Sequence, residues 1–100
     1  MAGLTLHHVS VPVRDLMRSA RFYDDVLGLE RITRPPFPFP GVWYGLGAGQ
    51  LHLIVNPEAT YRPARIDPGD VHFALATRAF EAWVDRLAGV GYRADLSPDD

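Results

Sequence analysis

The sequence predicts an α+β domain built from a βαβββ unit and an incomplete second copy of it. Three observations point there. Short stretches alternate apolar and polar residues with the period of a strand. A helically spaced stretch follows the first of them, behind a capping residue. The same core positions then return after an offset of 64 residues.

The first strand is expected over residues 4–13. Successive side chains on a strand point to opposite faces. Val9, Val11 and Val13 therefore share one face, and Leu6, His8, Ser10 and Pro12 share the other. Asp15 offers a helix N-cap, a short acceptor beside orphaned N–H groups. The helix is expected over residues 16–27, with Leu16, Ala20, Tyr23 and Leu27 on its apolar side and Gly28 ending it. Residues 29–34 read as a second strand. In Pro35-Pro36-Phe37-Pro38-Phe39-Pro40-Gly41 the prolines cannot sit inside a sheet, so a stiff, extended arm is expected.

Residues 42–46 and 50–55 form a hairpin around Gly47-Ala48-Gly49. In its second strand Leu51, Leu53 and Val55 oppose Gln50, His52 and Ile54. Residues 56–69 read as a connector. A strand over 71–76 echoes the first, with Val71, Phe73 and Leu75 opposing His72, Ala74 and Ala76. Thr77 caps a helix expected over 78–88, with Phe80, Val84 and Leu87 buried; Gly89 and Gly91 stop it, and 92–96 form one more strand. At the 64-residue offset His8 meets His72, Val11 meets Leu75, Leu16 meets Phe80, Ala20 meets Val84 and Tyr23 meets Leu87. The chain is thus read as one domain over 1–100: a first module over 1–55, the connector, and a partial second module over 70–100.

Composition removes several classes of chemistry. The net charge of -2 gives no reason to expect nucleic acid or an anionic membrane as a partner. All ten Lys and Arg positions are arginine, so no lysine can form a Schiff base. There is no cysteine for disulfides, thiolate metal sites or thiol catalysis. No apolar run is long enough to span a membrane, the first residues lack a basic leader pattern, and a cytoplasmic location is the expectation.

The histidines are the functional lead. Neutral imidazole is the commonest protein metal ligand, and ligands on strands must converge on one sheet face. The parity argument supplies that face for His8, His52 and His72; the plainer alternative makes each an ordinary polar residue on a half-exposed strand. His7 has the parity of the valines and reads as an edge or rim residue. Phe37, Phe39 and Trp43, held by the proline segment, are expected to wall a substrate pocket rather than merely cap a small core. Ser10 shares the His8 face and is placed in that pocket. Asp24-Asp25 reads as solvated surface. No general base stands out, since only Glu30 and Asp95 lie near strands.

His8-Val9-Ser10-Val11-Pro12-Val13-Arg14-Asp15-Leu16, with Ser19, Phe22-Tyr23 and Val26-Leu27-Gly28-Leu29, resembles the opening of the vicinal oxygen chelate superfamily. That superfamily includes glyoxalase I, extradiol dioxygenases, fosfomycin-resistance thiol transferases and bleomycin-resistance proteins. Gly41-Val42-Trp43-Tyr44, His52-Leu53-Ile54 and Asp70-Val71-His72-Phe73-Ala74-Leu75 fit it too. The resemblance implies paired βαβββ modules curled into a cup-like mixed sheet around a divalent metal. It implies His8 and His52 as ligands from the first module and His72 from the second. The fourth ligand, usually glutamate, would fall near position 116, which is 44 residues beyond His72 and past Asp100. The expectation is therefore a chain that stops short of the whole protein, with a partner in a homodimer covering the open sheet edge.

The function implied is a metal-dependent enzyme of the glyoxalase or dioxygenase kind. A small substrate would bind through two neighbouring oxygens, and the cation would act as a Lewis acid on an anionic intermediate. Imidazole-rich ligation suits zinc, nickel, iron, manganese or copper without choosing among them. The alternative is a metal-free binding module that sequesters small molecules in the aromatic pocket, as bleomycin-resistance proteins do.

Overall fold

The computed structural model describes residues 2–59 and 69–94. The chain divides into two compact units, residues 1–60 and 61–100. The first is a βαβββ unit: β1 (His8–Val13), α1 (Leu16–Arg21) continued by a π-helical turn (Phe22–Val26), β2 (Arg31–Ile32), β3 (Gly41–Leu46) and β4 (Gly49–Val55). The strands form one mixed sheet in the order β1-β4-β3-β2. β1 runs parallel to β4, whereas β3 is antiparallel to both β4 and β2.

Side-chain alternation sorts this sheet as the sequence predicts. Val9, Val11 and Val13 turn toward the core while His8, Ser10 and Pro12 are exposed. Val13, Ala20, Tyr44, Leu51 and Leu53 form the buried centre, and Leu16, Tyr23, Leu29, Val42 and Leu46 pack around it. Burying apolar side chains of this size is worth roughly 1.5–3 kcal/mol each, so this helix-covered face holds the unit together. Tyr44 is fully buried, and its hydroxyl donates to the Ala20 carbonyl at 3.4 Å. Burial is the main reason its phenol is pushed up to about 12.

The local signals for α1 hold. Asp15 has an extended backbone, and its carboxylate accepts from Arg18 N–H at 3.1 Å. The last turn widens to an i→i+5 bond, Leu27 N–H to Phe22 C=O at 3.0 Å. Gly28 follows at φ +67°, the left-handed conformation in which a Cβ is strained. Asp24 is not merely solvated: its carboxylate takes a two-point ion pair from Arg31, 2.7 Å at the shorter contact, which lowers the Asp24 pKa.

Two expectations in this unit need correction. The second strand is only two residues long, because just Arg31 and Ile32 find partners, Tyr44 and Trp43, on β3. The proline segment is not an extended arm. Phe37 N–H bonds back to Pro35 C=O at 2.8 Å, and the Arg34 guanidinium donates to Phe39 C=O at 2.6 Å. Proline carries no N–H but keeps its carbonyl, so such a run remains rich in acceptors that can fold it back. The loop returns to the sheet where Val55 N–H meets Pro40 C=O.

In the second unit, α2 spans Phe80–Gly89. Its first residue lies 64 positions after Leu16, the first of α1, so the repeat holds for the helix. Gly91, at φ +96°, closes it. Thr77 does not cap α2 but accepts from Ala79 N–H at 3.0 Å, just before the helix begins. The strand expected over 71–76 is absent. Alternation makes a strand only beside a neighbouring one, and none lies there among the described residues; Val71 is 87% exposed. Residues 92–94 are not a strand either, while Asp95, Leu96, Tyr61 and most of the connector lie outside the described residues. No helix among the described residues is long and apolar enough to cross a membrane.

Candidate functional site

The face of the first unit's sheet opposite α1 carries the candidate residues His8, Ser10, Trp43 and His52. Parallel pairing sets Ser10 beside His52, with His8 one pleat back beside Gln50. Antiparallel pairing sets Trp43 on the other side of His52, and Ile32 beyond Trp43. The three central rings stack. His52 lies 3.8 Å from Trp43 at an interplanar angle of 2°, and 4.2 Å from His8 at 17°.

His52, 4% exposed, is the only buried polar side chain among the described residues. Its Nε2 lies 2.8 Å from Gln50 Oε1. A carbonyl oxygen accepts, so Nε2 carries the proton and Nδ1 keeps the lone pair. Burial first, and then the charges of His8, His7 and Arg34, hold the His52 pKa below its ordinary 6.5. The imidazole is therefore kept neutral, the form in which it ligates a metal.

His8 is exposed, and its Nδ1 lies 2.9 Å from Nδ1 of His7. One of these nitrogens must donate and the other accept, so two neutral rings carry opposite tautomers. Parity places His7 at the rim, but it does not show that its ring reaches His8 edge-on, with centroids 5.1 Å apart. In the second unit, His72 Nδ1 donates to Asp70 C=O at 2.8 Å, which leaves Nε2 as the neutral ring's lone pair.

The rings of Phe37, Phe39 and Trp43 lie together. Phe37 and Phe39 stack at 5.3 Å, and Phe37 meets Trp43 at 6.0 Å. The Arg34 guanidinium lies over both phenylalanines, 5.3 and 5.1 Å from their ring centres. Arg34 and Gln50 are the two residues whose roles no sequence motif announces. Among the described residues no three His, Cys, Asp or Glu side chains come together as a ready metal cage. The donor chemistry of the first unit nonetheless fits a metal: two adjacent imidazoles on one face, one held neutral and oriented by an amide.

The open face of this helix-backed α+β sheet thus carries two imidazoles, a hydroxyl and a group of aromatic rings. Residues 5–100 match the Glyoxalase/Bleomycin resistance protein/Dioxygenase superfamily, and the chain belongs to it. It is 35% identical over 91 residues to Glyoxylase I 4 of Arabidopsis thaliana, covering 87% of this chain but 52% of that protein. The chain thus spans about half the length of that relative.

Among solved structures, a glyoxalase family protein from Bacillus anthracis matches with a TM-score of 0.72 at 22% identity, over 91% of this chain and 73% of that one. A variant of the fosfomycin resistance protein FosX from Listeria monocytogenes matches with a TM-score of 0.65 at 13% identity, over 98% and 73%. That variant was crystallised with Mn(II) and 1S,2S-dihydroxypropylphosphonic acid. At these identities the structural matches establish the fold.

Proposed function

We propose that this chain carries part of a metal-dependent glyoxalase- or dioxygenase-like active site for a small substrate with two neighbouring oxygens. The observation that carries the reading is the pairing of His8 with a buried, neutral His52 on the open sheet face. These two would hold the metal. His72 is proposed as a ligand of the same kind, on the strength of the repeat that makes it the counterpart of His8. A divalent zinc, nickel, iron, manganese or copper ion would supply Lewis acidity toward the substrate oxygens. The relative crystallised with Mn(II) supports metal dependence in this fold.

The chain's own residues do the rest. Gln50 fixes the His52 tautomer and orientation through Nε2. Trp43 covers the other face of that ring and excludes water from it. Ser10, exposed beside His52, offers a hydroxyl to a bound oxygen. Phe37, Phe39 and Trp43 wall the apolar part of the substrate. A homodimer is proposed as the working form.

The aromatic wall also favours a second reading, metal-free sequestration of a small molecule. Metal analysis of protein purified without chelators separates the two. About one equivalent of transition metal, lost in His52→Ala, supports the enzyme. Metal-free protein that still binds an aromatic ligand supports the sequestering module.

A further inference from the structure

His7 is exposed and precedes β1 by one residue, yet both its backbone and its ring are tied to the site. Its carbonyl accepts from Gln50 N–H at 3.0 Å, so the residue that holds His52 through its side chain holds His7 through its backbone. The His7 ring meets His8 with the planes at 85° and the two Nδ1 atoms 2.9 Å apart. The 5.1 Å between ring centres is close to that distance plus two ring radii, so the nitrogens point almost directly at each other. A zinc–nitrogen bond is about 2.0–2.1 Å, and an ion on that line would need the nitrogens roughly 4 Å apart. A proton fits between these rings and a shared metal does not. The contact is a hydrogen bond.

The direction of that bond decides what His8 can do. With His8 as acceptor, its proton sits on Nε2 and its one lone pair is spent on His7. With His8 as donor, the proton sits on Nδ1 and Nε2 keeps a free lone pair. The neighbouring imidazole follows the second plan with its nitrogens exchanged: Gln50 takes the Nε2 proton of His52 and leaves Nδ1 open. His8 is also stacked on His52, 4.2 Å away at 17°. The stack fixes the plane of the His8 ring, and the contact at Nδ1 fixes its turn within that plane.

We propose that His7 is a positioning residue for His8: its Nδ1 accepts the His8 Nδ1 proton, which fixes the tautomer and turn of that ring and leaves Nε2 as the atom offered to a metal. This rests on the reading of His8 as a ligand and assigns the nitrogen it would use. A ligating imidazole almost always donates its other N–H, and removing the partner typically costs 10–100-fold in metal affinity. Coordination at Nε2 draws electron density from the ring, so the Nδ1–H becomes a stronger donor and the bond to His7 tightens as the metal binds. A His7 that only lined the rim would leave the His8 tautomer and the zinc affinity unmoved by its removal.

The test compares the unaltered full chain with His7→Ala and His7→Asn, each labelled with ¹⁵N-histidine. Asparagine places its Oδ1 where histidine has Nδ1, so it keeps an acceptor that alanine lacks. Long-range ¹H–¹⁵N correlations in metal-free protein at pH 8, where free imidazole is neutral, read the tautomers directly. His8 should carry its proton on Nδ1 in the unaltered chain and in His7→Asn, and lose that preference in His7→Ala. Zinc titration should then show affinity lower by about tenfold in His7→Ala and within about threefold of the unaltered chain in His7→Asn. A His8 protonated on Nε2 in the unaltered metal-free chain overturns the proposal. So does a His8 tautomer unchanged in His7→Ala, or a His7→Asn that binds zinc as weakly as His7→Ala. The substitutions fall on an exposed side chain, and the tautomer in the unaltered chain decides the matter even where a variant fails to fold. Zinc that moves neither His8 nor His52 sinks the metal reading, whereas the metal-free tautomers still decide whether His7 sets the His8 ring, so the two failures are distinguishable.

Discussion

Trp43→Leu probes the ring stack that keeps His52 neutral. The substitution leaves an apolar side chain on β3 but removes the 3.8 Å stack on His52 and the tilted contact with Phe37. Aromatic pairs contribute about 0.5–1.5 kcal/mol beyond the area they bury, so two lost pairs should cost about 1–3 kcal/mol. In a domain of this size each kcal/mol lowers Tm by roughly 4–8 °C. The more specific consequence concerns pH. Because the folded-state pKa of His52 is lowered, the unfolded chain takes up the proton first as pH falls. Stability is therefore full above the ordinary value of 6.5 and declines as pH drops from there toward the folded-state pKa. Uncovering the ring in Trp43→Leu should raise that pKa toward 6.5 and flatten the decline. Urea denaturation between pH 8 and 5, with NMR titration of the His52 Hε1 signal, measures both effects. A His52 titration identical in the two proteins would refute the reasoning, whatever happened to Tm.

Other outcomes follow from single contacts. Gly41→Ala should destabilise by about 1–3 kcal/mol in urea titrations, because its Cβ would stand 2.6 Å from the Leu53 carbonyl oxygen, which is backbone and cannot swing away. Asp15→Ala removes the acceptor for Arg18 N–H and should cost about 1 kcal/mol in the same assay, with Asp15→Asn restoring most of it. Asp24→Asn breaks the ion pair with Arg31, but those side chains are 29% and 54% exposed, so a loss of no more than about 1 kcal/mol is expected. Because Arg31 lowers the Asp24 pKa, that contribution is present above the unfolded carboxylate pKa and disappears as pH falls through the folded one; the difference between Asp24→Asn and the unaltered chain should close in acid.

Much of the first unit was legible because its signals are local or strictly periodic. Asp15 and Gly28 bracket their helix by side-chain and backbone chemistry that needs no distant partner. Parity sorted His8 and Ser10 from Val9 and Val11 because one sheet face is packed and the other is not. Contacts that depend on register were not legible. The stacking of His8 on His52 requires β1 to lie parallel to β4 with Ser10 opposite His52, and no turn in the sequence dictates that pairing. The seat of Arg34 over Gly41 joins residues on opposite sides of a proline loop whose folding back depends on carbonyls, not on side chains. Residues 71–76 show the converse failure: the alternation is real, but without a neighbouring strand among the described residues it forms no sheet.

The pairing of His8 with His52 as metal ligands is tested most directly by titrating zinc into chelator-treated protein while recording ¹⁵N shifts of the imidazole nitrogens. About one equivalent should move a single ring nitrogen of each of His8 and His52 to the shift of a metal-bound imidazole, with Nδ1 the ligating atom in His52 because Gln50 holds its Nε2 proton. Imidazole signals at these two residues that stay unchanged through excess zinc would contradict the account.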